Sequence, residues 1–169
     1  GGMISVALPA EELEPLLGNH LDLGAVNSPG LSVASGPTAP LEALEQTLQE
    51  LEIEYQRIPI DIAAHSRMLD PILDRFRAYL EAIPLHPPQI PITSNRTGTR
   101  MTADQATSPE YWVAHLRGTV QFNQGLQALA ERPNRIFLEV GPGKALSGLA
   151  RQAPGIAANQ VLSSLRHPD

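Results

Sequence analysis

Apolar residues in the first third of the chain follow two alternating periods. Residues 3–8 (M-I-S-V-A-L) read as a short strand. Pro9-Ala10 then leads into a helix carrying Leu13, Leu16 and Leu17 on one stripe, with Glu11, Glu12 and Glu14 near its positive end. Gly18-Asn19 is a stop signal, and residues 21–26 form the next strand. Asn27-Ser28-Pro29-Gly30 is a turn that sends the chain back as a strand over residues 31–35. Gly36-Pro37 breaks it. A second helix over residues 41–51 aligns Leu41, Leu44, Leu48 and Leu51, and residues 53–60 supply a fourth strand. The order β-α-β-β-α-β predicts a ferredoxin-like unit over residues 1–60. That fold serves many activities and assigns none.

The stretch R-I-P-I-D-I-A-A-H-S-R-M-L-D-P-I-L-D-R-F-R-A-Y, residues 57–79, changes period in mid-course. Ile58, Ile60 and Ile62 alternate as in a strand. Leu69, Ile72, Leu73, Phe76, Leu80 and Ile83 recur at three-and-four spacing and predict a helix with one buried face. Asp70-Pro71 is a suitable cap and first-turn pair, with Ser66 to Leu69 as a lead-in turn. His65 therefore stands where a strand hands over to a helix, behind two alanines that leave space in front of its ring. Such a position suits a rigidly held imidazole facing a cleft, and equally an ordinary junction histidine.

Beyond it, Leu85-His86-Pro87-Pro88 is a stiff connector into a short strand over residues 90–93, followed by Ser94-Asn95-Arg96-Thr97-Gly98 and a polar loop over residues 99–107. Ser108-Pro109 opens a helix with Tyr111, Trp112, Val113 and Leu116, and Phe122, Leu126 and Leu129 mark another. Residues 135–140 (R-I-F-L-E-V) read as a buried strand ending in Gly141-Pro142-Gly143. A helix with Leu146 and Leu149 follows, then a last strand at Val161-Leu162. Strands alternating with helices suggest a parallel sheet, and about three strands make it a piece of a larger layer.

Composition narrows the function. Hydrophobic residues are 42% and charged residues 18%, a globular balance with enough length for a real core. A net charge of −6, with no Lys/Arg cluster, argues against a nucleic-acid surface. Without cysteine there is no disulfide, thiolate zinc site or thiol nucleophile. No apolar run reaches membrane-span length and no basic, apolar leader opens the chain, so a soluble, cytoplasmic protein without membrane contact is expected. His20, His86, His115 and His167 show no metal-ligand spacing, and no metal is expected. Gly141-Pro142-Gly143 resembles a phosphate loop only weakly, since proline removes one amide, and a tight strand-to-helix turn explains it better. Tyr111 and Trp112 suit a core. No G-x-S-x-G elbow occurs, so His65 has no nucleophile in a recognisable setting.

Five segments nevertheless resemble one family together. They are A-V-N-S-P-G-L-S-V-A-S-G-P (25–37), A-A-H-S-R-M-L-D-P-I-L-D-R-F (63–76), I-P-I-T-S-N-R-T-G (90–98), S-P-E-Y-W-V-A-H-L-R-G-T-V-Q-F (108–122) and F-L-E-V-G-P-G-K-A-L-S-G-L (137–149). In this order they are similar to the acyltransferase domain of modular type I polyketide synthases, itself similar to bacterial malonyl-CoA:acyl carrier protein transacylase. The resemblance covers the C-terminal two thirds of such a domain. It implies an α/β (α+β) fold: a ferredoxin-like βαββαβ small subdomain, residues 1–60, followed by the C-terminal part of an α/β-hydrolase-like large subdomain, residues 61–169.

The resemblance also implies a ping-pong mechanism, in which a serine takes the acyl group of an acyl-CoA and passes it to the phosphopantetheine thiol of a carrier protein. Ile62-Ala63-Ala64-His65 matches the family's four-residue histidine motif, making His65 the general base and acid. The main-chain carbonyl that holds its other nitrogen maps to Gln105, and Asn95 falls at the cleft edge. Ile62, Ala63 and Ala64 then face the acyl group. Ala64 is smaller than the residues that mark malonyl or methylmalonyl selection, so both units should be accepted. No cofactor is expected beyond the acyl-CoA substrate and the phosphopantetheinyl carrier protein. Expected partners are these two, the N-terminal remainder of the domain and a neighbouring ketosynthase with its linker. The family's elbow serine has no match here, so the 169 residues alone should be inactive. The alternative is a non-catalytic ferredoxin-like binding or docking module.

Overall fold

The computed structural model describes residues 1–165, so His167 lies outside the described residues. β1 (Gly2–Val6), α1 (Ala10–Leu17), β2 (Asp22–Ser28), β3 (Leu31–Gly36), α2 (Thr38–Glu50) and β4 (Tyr55–Ile58) follow in the expected order. The sheet runs β2-β3-β1-β4 with antiparallel neighbours, the split-βαβ arrangement. Its two faces are both buried. Ile4 and Val6 point to the helices and pack with Leu13, Leu17, Leu41, Leu44 and Leu48. Met3, one residue out of phase, points the other way and packs with Ala25 and Val33. Ala64 and Val120 lie on that second cluster, so the sheet's far face is closed by later parts of the chain.

Several expectations are corrected here. The alternation through Ile60 and Ile62 is not a strand. The β1–β4 ladder ends at Met3↔Ile58, and beyond it the chain has no strand partner among the described residues. Ile60 and Ile62 are exposed, as is Leu51 at the end of the second helix's stripe. The turn before β3 is shorter than expected, because β2 continues to Ser28 opposite Leu31.

The helix after His65 begins differently from the expected Asp70-Pro71 cap. Ser66 caps a 3₁₀ turn over Arg67–Ile72, and α3 (Leu73–Glu81) takes over from it. Asp70 is engaged elsewhere, with its carboxylate accepting from Arg117. Of the apolar face, Leu80 is buried and Phe76 half-buried, whereas Ile72 and Ile83 are exposed.

Residues 90–93 form no strand; only a single bridge joins Thr93 to Arg100. The polar loop over residues 99–107 contains a short helix, α4 (Ala103–Thr107), started by a reciprocal cap between Thr102 and Gln105. α5 (Pro109–Arg117) and α6 (Phe122–Ala130) follow, the first capped by Ser108 as expected. β5 (Phe137–Glu139) and β6 (Val161–Ser163) pair in parallel around α7 (Ala145–Gln152), giving two strands among the described residues instead of three. The strand is not buried on both faces: Ile136, Leu138 and Val140 are exposed. Gly141-Pro142-Gly143 is a turn, with positive φ at both glycines. Glu139 occupies the start of α7 itself, accepting from the Leu146 and Ser147 amides.

Candidate active site

Past Ile58 the chain crosses the sheet's far face and is pinned at each residue around His65. Ser35 of β3 donates its hydroxyl to the Ala64 carbonyl at 2.5 Å. Ser66, fully buried, donates to the Ala63 carbonyl at 2.8 Å and accepts from the Met68 amide at 3.2 Å. Between these anchors His65 adopts φ 55°, in the left-handed region. Histidine is among the side chains that tolerate it, at a cost on the order of 1–3 kcal/mol that the surrounding bonds must offset.

His65 is half-buried, and its Nδ1 lies 3.0 Å from the Gly118 carbonyl oxygen. A carbonyl only accepts, so Nδ1 carries a proton, and in the neutral imidazole the lone pair is then on Nε2. No hydrogen bond to Nε2 is found among the described residues. The ring thus has the form a general base needs. Gly118 is itself fixed, because the segment after α5 joins the free edge of β2. Val120 donates to the Gly24 carbonyl at 2.9 Å, Val26 donates to the Val120 carbonyl at 2.8 Å, and Thr119 donates its hydroxyl to the Leu23 carbonyl at 2.7 Å.

A second imidazole stands against the first. The rings of His115 and His65 are 6.4 Å apart, edge to face, and Tyr111 and Trp112 enclose His115 on its own helix. Burial, then the proximity of His65 and of Arg96, holds the His115 pKa below its ordinary value. The Tyr111 hydroxyl and Ser94 Oγ share a hydrogen bond of 2.5 Å, and Ser94 Oγ also accepts from the Arg96 and Thr97 amides, which fixes the 94–98 turn beside the histidines.

Of the sequence-predicted residues, His65 and the 62–64 run adjoin by necessity, but their side chains diverge. Ile62 is exposed, Ala63 is buried, and Ala64 packs on the Met3, Ala25 and Val33 cluster. Asn95 is exposed, and its carbonyl accepts from the Gln121 amide at 2.6 Å, tying the 94–98 turn to the Gly118 segment. Gln105 is corrected: its carbonyl accepts from the Ser108 amide and its side chain caps α4, while the carbonyl on His65 is that of Gly118. The T-A-D-Q spacing over residues 102–105 could have revealed that capping role. His115 and Gly118 were missed; a backbone carbonyl leaves no trace in a sequence. Among the described residues, no cluster of three or more His, Asp or Glu side chains could hold a metal ion, and no helix is long and apolar enough to cross a membrane.

Residues 1–160 match the acyl transferase domain family, to which this chain therefore belongs. The chain is 34% identical over 169 residues to one component of the phenolphthiocerol/phthiocerol polyketide synthase of Mycobacterium tuberculosis, covering 99% of the chain and 11% of that protein's length. The acyl transferase domain of SpnD, solved in complex with 2-(pent-4-yn-1-yl)malonyl, superposes with a TM-score of 0.95 at 39% identity, over 100% of this chain and 41% of that one. The malonyl CoA-acyl carrier protein transacylase of Clostridium perfringens shares the fold, with a TM-score of 0.85 at 24% identity, over 96% of this chain and 52% of that one.

Proposed function

We propose that this chain supplies the histidine half of an acyltransferase site that loads malonyl-type units from acyl-CoA onto the phosphopantetheine thiol of a carrier protein. The observation that carries the proposal is the Nδ1–H of His65 held on the Gly118 carbonyl at 3.0 Å, with no hydrogen bond to Nε2 among the described residues. In the first half-reaction Nε2 takes the proton of a serine hydroxyl as its oxygen attacks the thioester carbonyl. Collapse of the tetrahedral species breaks the C–S bond, and the departing CoA thiolate receives that proton. In the second, Nε2 takes the proton of the carrier thiol as sulfur attacks the acyl-serine ester, and returns it to the serine oxygen as the C–O bond breaks. His65 is neutral at the start and end of each half-reaction.

The 169 residues contain no G-x-S-x-G elbow, so the serine comes from another part of the acyltransferase domain. The exposed Ile136, Leu138, Val140, Leu146 and Leu162 around β5 and β6 support this, being an apolar edge suited to packing against that part. Asn95 and Ile62, both exposed, face the shared cleft in this proposal. In a complete domain containing this chain, His65→Ala should slow transfer from malonyl-CoA to the carrier protein by roughly two to four orders of magnitude. Transfer at near wild-type rate would remove His65 from the mechanism. The 169 residues alone should stay unlabelled by radiolabelled malonyl-CoA, and stable labelling of one of their serines would overturn the assignment of the nucleophile.

A further inference from the structure

The His65–Gly118 contact joins two loops that are 53 residues apart in sequence. The residue two after His65 is Arg67, and the residue before Gly118 is Arg117. Both guanidinium groups converge on one carboxylate, that of Asp22 at the start of β2. Arg67 donates its backbone amide to Asp22 Oδ2 at 2.8 Å, its Nε to the same oxygen at 3.0 Å, and its Nη2 to Oδ1 at 3.1 Å. Arg117 Nη2 stands 3.5 Å from Asp22 Oδ1, and its Nε donates to Asp70 at 2.6 Å. Arg67 Nη1 is also bound to the Asn19 carbonyl at 2.5 Å.

We propose that Asp22 is a positioning residue for His65, one carboxylate of the small sheet holding through Arg67 and Arg117 both sides of the His65–Gly118 hydrogen bond. Asp22 touches neither ring nor reacting atom. It fixes the loop that carries the imidazole and the residue that precedes the accepting carbonyl. The left-handed φ of His65 requires such an anchor, since a strained residue in a loop without a strand partner would relax if its neighbour were free. A planar fork on a carboxylate sets direction as well as distance, which a lysine ammonium would not. Burial of Asp22 works against its ionisation, but the hydrogen bonds from Arg67 and the charge of Arg117 outweigh it and hold the carboxyl below its ordinary value, so the clamp is charged at neutral pH.

That His65 acts as a base rests on the function proposed above, whereas its tautomer can be read with no acyl group present. The test is therefore long-range ¹H–¹⁵N spectroscopy of the His65 imidazole in the 169-residue chain. The wild-type ring should be mainly the Nδ1–H form. In Asp22→Ala the ratio of the Nδ1–H to the Nε2–H form should fall by roughly 2- to 10-fold, the equivalent of one net hydrogen bond. Glu45→Ala removes a similar fork, that of Arg57, with Nη2–Oε2 at 2.8 Å, and should leave His65 unchanged. Arg67→Lys keeps the charge without the fork and should lower the ratio less than Asp22→Ala. An unchanged ratio in a folded Asp22→Ala chain overturns the proposal. If Asp22→Ala does not fold, Arg67→Lys decides, and a wild-type ratio there overturns it equally. A shift in the ratio with no loss of acyl transfer in the complete domain would instead count against the base role of His65.

Discussion

Ser66 ties the stability of the chain to the geometry of its histidine. Its side chain is fully buried, and its one oxygen serves two backbone groups, the Ala63 carbonyl at 2.8 Å and the Met68 amide at 3.2 Å. Ser66→Ala removes both bonds at once and leaves a buried acceptor and the Met68 amide of the 3₁₀ turn without these partners. Losing the cap alone costs about 0.5–2 kcal/mol, and leaving a buried polar group unpaired costs about 1–3 kcal/mol. The two figures describe the same oxygen and do not add, so about 2 kcal/mol is expected. For a chain of this size that is a fall in Tm of roughly 4–8 °C. Urea titration of wild type and variant measures it, with Thr107→Ala as control. Thr107, half-buried, donates to the Ala103 carbonyl at 3.0 Å in a solvent-exposed hydrogen bond, and its loss should change stability by no more than about 0.5 kcal/mol. If Ser66→Ala melts with the Thr107→Ala control, the buried cap contributes nothing, and the account of what holds His65 in the left-handed region fails with it.

Two other outcomes follow from the same geometry. Ala64→Phe places a ring where a methyl packs on Met3, Ala25 and Val33, and should destabilise the chain by about 1–3 kcal/mol in urea titration; no loss would mean that position 64 points to open space instead. His115 has a folded-state pKa below its unfolded value, so the unfolded chain binds the proton first. Stability should therefore fall as pH drops from its ordinary value of 6.5 towards the folded-state value. His115→Gln should flatten that part of the pH–stability profile, and an unchanged profile would show that the buried imidazole does not set it.

The small sheet was legible because its information is local. Period-two runs at Ile4 and Val6, leucine stripes in the two helices and turn residues at Pro29-Gly30 each constrain their own neighbourhood, and the βαββαβ order then leaves few topologies. Ser108 before Pro109 marked its helix for the same reason. The failures lie where local preference had no tertiary support. Ile60, Ile62, Ile90 and Ile92 have the composition of strands, yet all four are exposed and lie in no strand of either sheet among the described residues. Asp70-Pro71 has the chemistry of a cap, but Ser66 was already placed to begin the turn and Arg117 engaged the Asp70 carboxylate.

The resemblance of Ile62-Ala63-Ala64-His65 to a family motif singled out the imidazole, whereas the residue pattern alone left it equally an ordinary junction histidine. Its environment could not be read that way. The acceptor on Nδ1 is a glycine carbonyl, a group every residue carries, and only the docking of the 118–120 segment on the edge of β2 selects it. The two arginines that flank the contact look like any exposed arginines until folding brings Asp22, 45 residues before Arg67, between them. Sequence thus determined which group can carry a proton here. Tertiary structure decided which of its nitrogens is free to do so, because that depends on a carbonyl and a carboxylate brought in from distant parts of the chain.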